Sequence, residues 1–214
     1  MSYSQFKTLQ SVKQAFGISI KEGDRFLPDF LPLEPSEFLT AYLHESLPIV
    51  ASSGSEKARS EGIIYPILLE VRRILERQIS LFSGEDFTVD ESSGLAGICD
   101  FILSRSPEVL EIEAPVVVIV EAKRTELKSG LGQCIAEMIA AQRFNQEHFS
   151  QMTTTPQPNI AIYGSVTYGS VTNGTQWQWL RLIETTVDID LQIYPLPPID
   201  RILGDLVGML QDAG

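Results

Sequence analysis

Hydrophobic residues along the chain follow two rhythms, and the places where one gives way to the other outline the fold. Ile64, Ile67, Leu68, Val71, Ile74 and Leu75 recur at helical spacing and predict a long amphipathic helix over 56–80, with Pro66 tolerated near its start or kinking it. Two shorter helical stretches, 6–16 and 36–45, precede it. They are joined by a segment broken by Gly23, Pro28, Pro32 and Pro35, and a polar linker at 52–55 leads into the long helix. From Asp86 the rhythm becomes alternation, so 86–90 and 97–103 read as adjacent strands around a Ser92-Ser93-Gly94 turn. Val116-Val117-Val118-Ile119-Val120 is an unbroken β-branched run, the pattern of a strand covered on both faces and therefore central in a sheet.

Helical spacing returns over 131–144 through Leu131, Ile135, Met138, Ile139 and Phe144. Strands are then predicted at 159–167 and 176–183, and Asn173-Gly174 between them is the dipeptide most favoured in tight hairpins. The pentamer Tyr-Gly-Ser-Val-Thr stands twice in tandem, at 163–167 and 168–172. An odd-length repeat would flip the faces of a strand, so it reads as a local duplication with a bulge or turn. A strand near 187–194, a proline-rich turn and a helix carrying Ile199, Ile202, Leu203, Leu206 and Leu210 close the chain. This order predicts an α/β sandwich: a mixed sheet with helices on its faces.

With 214 residues and 43% hydrophobic content, the chain has enough apolar material for one sizeable core, and a single domain over 1–214 is expected. The formal charge of -12 repels a polyphosphate at long range, so any contact with nucleic acid must rest on local basic residues such as Arg72, Arg73, Arg77, Lys123, Arg124 and Lys128. The apolar run 115–120 falls far short of the ~20 residues of a membrane helix, and the first residues lack the features of a secretory signal. No membrane association and a cytoplasmic location are the expectations. Cys99 and Cys134 are too few for a disulfide framework and read as buried free thiols, while His44 and His148 show no ligand spacing.

Chemistry concentrates around the central strand. Asp100 lies inside the apolar stretch Gly97-Ile98-Cys99-Asp100-Phe101, where an unpaired charge would cost several kcal/mol, so it needs a partner or a metal. Glu121-Ala122-Lys123 follows the β-branched run, and the strand period of two puts Glu121 and Lys123 on one side. If the two strands are neighbours, Asp100 and Glu121 converge on one divalent cation, for which hard carboxylate oxygens are suited, with Lys123 beside the attacking water.

These residues resemble the PD-(D/E)XK nuclease superfamily, whose fold is the restriction-endonuclease-like α/β sandwich. Asp100 is similar to its first acid and Glu121-Ala122-Lys123 to its E-x-K, although Cys99 stands where the name-giving proline would be. The nuclease domain of type I restriction subunits offers further likeness. Its helix glutamate resembles Glu61, ahead of Pro66-Ile67-Leu68-Leu69, with Glu70 as the competing position. Its glutamine after E-x-K resembles Gln133, and its hairpin resembles Val171-Thr172-Asn173-Gly174-Thr175-Gln176-Trp177. The likeness spans about 56–185, leaving 1–55 as an N-terminal helical extension and 186–214 as a C-terminal strand and helix. With no helicase-like segment, it implies a stand-alone domain.

The resemblance implies a DNA endonuclease using Mg²⁺ or Mn²⁺. Asp100, Glu121 and the Ala122 carbonyl would hold the metal, Lys123 would assist the water, and Glu61 and Gln133 would support them. The acidic balance implies weak binding of free DNA. It leaves room for a homodimer or an unknown protein partner, and for the alternative of a non-catalytic binding or regulatory protein that keeps the fold. Trp177 and Trp179, on one strand face, are expected in the core rather than on a base-stacking surface.

Overall fold

The computed structural model describes residues 2–152 and 166–212. Among these residues eight strands form one mixed sheet: β1 (Ser19–Gly23), β2 (Ser80–Asp86), β3 (Ile98–Ser104), β4 (Val116–Ala122), β5 (Val166–Thr172), β6 (Gln176–Ile183), β7 (Thr186–Asp190) and β8 (Tyr194–Pro195). Their spatial order is β1-β7-β6-β5-β4-β3-β2, with β8 paired to β6. The β4–β5 and β1–β7 pairs are parallel and the others antiparallel. The expected mixed sheet is therefore present, with the β-branched run near its middle and all seven residues of β4 buried.

Helices cover both faces. On one side α2 (Glu37–Ser52), α4 (Tyr65–Ile74) and α6 (Asp200–Asp212) bury Leu39, Leu68, Val71 and Leu206 against Phe101, Val118 and Val120. On the other, α1 (Leu9–Phe16) and α5 (Leu131–Met152) bury Val12, Ile135 and Met138 against Ile102, Ile119 and Leu180. Trp177 and Trp179 are core residues as expected, and the Trp179 indole N–H donates to Asp205 at 3.0 Å. Gly132 brings the N-terminal segment onto α5, because a Cβ there would lie 2.4 Å from the Phe6 carbonyl oxygen. No helix among the described residues is long and apolar enough to cross a membrane.

The helix expected over 56–80 is broken. A short α3 (Glu56–Arg59) runs into a π-helical turn, Ser60–Ile64, before α4, and Pro66 sits in the first turn of α4, where a missing N–H does no harm. The helix stops at Ile74 because Glu76 and Arg77 both adopt left-handed backbone, a stop that neither glycine nor proline announces. The strand placed at 86–90 is instead β2, six residues earlier, and β1 was not expected. The strand predicted at 159–167 lies outside the described residues up to 165. The second pentamer copy, 168–172, forms regular ladder with β6 and contains neither bulge nor turn. The strand near 187–194 is divided into β7 and β8.

Candidate functional site

The β3–β4 ladder ends at Phe101 opposite Val120. The next residues in that register are Asp100 and Glu121, side by side on the face of Ile102 and Ile119. There the Asp100 Oδ2 accepts the Ala122 N–H at 2.8 Å, and on the far edge the Lys123 N–H donates to the Thr172 carbonyl at 2.8 Å. Two acids thus meet where adjacent strands part.

Glu121 is wholly buried, and its Oε1 pairs with the Lys123 ammonium. Gly130 provides the space for this lysine: a Cβ there would stand 2.8 Å from Val171 Cγ1 and 3.0 Å from Lys123 Cγ. Burial pushes the Glu121 carboxyl up to about 8; the Asp100 charge adds to the shift and Lys123 opposes it. Burial disfavours the Lys123 ammonium, yet Glu121, Asp100 and Glu56 outweigh it and hold its pKa above the ordinary lysine value.

A third buried acid comes from α5. Glu137, one turn beyond Gln133, is fully enclosed, and its Oε1 accepts from Gln133 Nε2 at 3.0 Å. Burial, then the charge of Glu121, drives its carboxyl well above the usual range. The remaining oxygens, Glu121 Oε2 and Glu137 Oε2, are buried with no hydrogen-bond partner. Bare carboxylate oxygens in a low dielectric call for a proton or a cation. The pattern had carried a signal for Glu137, since it is the sole charged residue between Leu131 and Ala141.

The helix acids separate. Glu61 lies in the π-turn, with its side chain 68% exposed and 3.7 Å from Lys57, whereas Glu121 and Glu137 are wholly buried. Its expected position assumed an α-helical phase, which the π-turn shifts. Glu70 is buried but accepts from Ser36 and Arg73, an arrangement that anchors the start of α2 to α4. Glu56, at the start of α3, is the helix acid whose charge bears on Glu121 and Lys123.

The Asn173-Gly174 turn, where Gly174 takes φ +86°, braces the site from the side. Asn173 Nδ2 donates to the Thr125 carbonyl at 2.9 Å, and Arg59 donates to the Asn173 carbonyl at 3.0 Å. These bonds tie α3, the hairpin and the segment after Lys123 together. Cys99 and Cys134 are free and buried, and burial, with Glu137 next, raises both thiols far above the reactive range.

Chemically the site is a buried cluster of carboxyl groups answered by one lysine. Among the described residues no three His, Cys, Asp or Glu side chains form a ready cation cage. A cation here would rest on two carboxylates and backbone oxygen, and the bare Glu121 Oε2 fits such a ligand. No protein-family model matches the chain, and no curated protein matches it.

Proposed function

We propose that the protein is a PD-(D/E)XK-type nuclease of restriction-endonuclease-like fold that hydrolyses phosphodiester bonds of DNA with Mg²⁺ or Mn²⁺. One observation carries this reading: Asp100 and Glu121 lie side by side on neighbouring strands, with an unpartnered Glu121 oxygen and Lys123 on the same carboxylate. The mixed sheet between two helical layers supports the fold.

Asp100, Glu121 and the Ala122 carbonyl would hold the cation, which when bound supplies Lewis-acid activation of water and neutralises charge at the phosphate. Lys123 contributes the protein's own share: its ammonium, positioned beside Glu121 with room provided by Gly130, orients the attacking water and offsets negative charge growing on the phosphate. Glu137 fixes one end of the Gln133 amide, so Gln133 enters the site already oriented. Lys57, Arg59, Arg124 and Lys128 lie on the segments braced by the hairpin and offer local basic contacts in an otherwise acidic chain. Binding to free DNA is accordingly weak and strongly salt-dependent, and a homodimer or another protein would add to it.

The test compares wild type, Lys123→Ala and Glu121→Ala on supercoiled, linear and single-stranded DNA with Mg²⁺ and then Mn²⁺. The expected result is cleavage by wild type and a loss on the order of 10²-fold or more in each variant. Equal cleavage by all three would assign the activity to something else. No cleavage by wild type would favour the second reading, a non-catalytic binding or regulatory protein, to which the charge of -12 already inclines.

A further inference from the structure

A second concave site shares no residue with the carboxylate cluster. It is a groove of about 420 Å³ between α2 and α4, floored by Leu39 and Pro66 and walled by Phe38, Tyr42, Tyr65 and Leu69. Phe38 is 73% exposed, Leu69 43% and Tyr65 38%, so three large apolar side chains of one groove face water. The Phe38 and Tyr42 rings stack one helical turn apart, 28° from parallel, and make a continuous aromatic wall.

The charges in the groove are uneven. Glu61 is matched by Lys57, and Glu70 is taken up by Arg73 and Ser36. Arg72 spends its Nε on the Ile79 carbonyl at 3.0 Å and pairs with no acid among the described residues. No hydrogen bond or ion pair joins the Arg77 guanidinium to any described residue. Two arginines that no described acid pairs therefore sit where α4 ends, in a chain of net charge -12.

We infer that this groove binds an amphipathic carboxylate with a medium-length hydrocarbon body, its acid group on Arg72 and Arg77 and its chain along the aromatic wall. The volume lies in the range of small-ligand sites, roughly 300–1,000 Å³, and an aromatic and aliphatic wall with the arginines gathered toward the end of α4 and Glu61 at the other end suits a ligand that is apolar along its body and anionic at one tip. Tyr65 to Arg73 covers roughly 12 Å of helix at ~1.5 Å per residue, comparable with an extended decanoate chain. The planar guanidinium fork matches a carboxylate in shape as well as charge. A nucleic-acid strand would need cations all along the groove, whereas these are confined to one end.

Isothermal titration of the full chain with decanoate tests this. Saturable one-to-one binding with a Kd on the order of 100 µM is expected, with decylamine at least tenfold weaker. Arg77→Gln and Leu69→Asp should each weaken decanoate at least tenfold while the melting temperature stays unchanged; should Leu69→Asp disturb folding, the exposed Arg77→Gln decides. No binding at millimolar decanoate would overturn the assignment, as would equal affinity for decanoate and decylamine. Binding of an acidic amphipathic helical peptide in place of decanoate would also overturn it and make the groove a protein-docking surface.

Discussion

The buried acids make stability depend on pH in an unusual direction. A solvated carboxyl has a pKa near 4.3 in an unfolded chain, while burial holds Glu121 up to about 8 in the fold. The folded state therefore keeps a proton that the unfolded state releases, so the contribution is complete below about pH 4.3 and is lost as pH rises through about 8. At about 1.4 kcal/mol per pH unit, Glu121 alone sets a ceiling of roughly 4 kcal/mol lost between pH 5 and pH 8. Local relaxation and water penetration reduce this to a working figure of about 2–3 kcal/mol, and Glu137 acts in the same direction. Glu70 and Asp90 are shifted downward, by Arg73 and by Ser92 respectively, so their contributions are lost only in more acidic solution, outside this window. For a chain of this length each kcal/mol moves the melting temperature by about 2–4 °C, which predicts a fall of roughly 5–10 °C. The assay is urea and thermal unfolding at pH 5.5, 7 and 8 in EDTA, for wild type and Glu121→Gln. Stability that stays level or rises with pH, or an equal slope in Glu121→Gln, would refute the reasoning. Under the nuclease reading, added Mg²⁺ should flatten the wild-type slope, because a cation then takes the place of the proton.

Two further expectations concern packing. Asp205 is wholly buried and serves Arg25, Arg201 and the Trp179 indole, so Asp205→Ala takes the acid from three side chains and should cost about 3–5 kcal/mol in a urea titration; a loss below about 1 kcal/mol would contradict this. Gly132→Ala forces a methyl against the Phe6 carbonyl, a backbone atom that cannot swing aside, and hydrogen exchange should quicken across Tyr3–Gln5 and α1 while β4 stays protected.

The parts of the molecule that could be read in advance are those where burial dominates the choice of residue. β4 is apolar on both faces, and its β-branched run could hardly be anything but an inner strand; from that placement the shared side of Glu121 and Lys123 followed. The neighbouring position of Asp100 was legible because an acid in an apolar strand demands an explanation. Where burial is slight the pattern was silent. β1, Ser-Ile-Lys-Glu-Gly, is an edge strand with no buried residue, and β2 exposes its last four residues, so neither alternates clearly. The π-turn at Ser60–Ile64 inserts an irregular phase into a well-formed apolar stripe, and Glu61, on the flank of that stripe, stands exposed beside Lys57. Helical spacing shows itself through apolar members, so Glu137 leaves no mark on it, although an acid among Cys134, Ile135, Met138 and Ile139 carries the same message as Asp100.

The pairing of β1 with β7 has a bearing on how the chain is made. Ser19 finds its partner in Thr186, 167 residues later, and among the described residues β7 is the one strand that pairs β1. On a ribosome adding roughly 5–20 residues per second, about ten to thirty seconds separate the emergence of the two strands. During that interval the first strand has no template, while the β2–β3–β4 meander can already close through local contacts. Its polar composition suits this wait, for Ser19, Lys21 and Glu22 keep a lone strand hydrated and discourage pairing between nascent chains. The N-terminal edge, first to be synthesised, is thus among the last parts of the sheet to be completed.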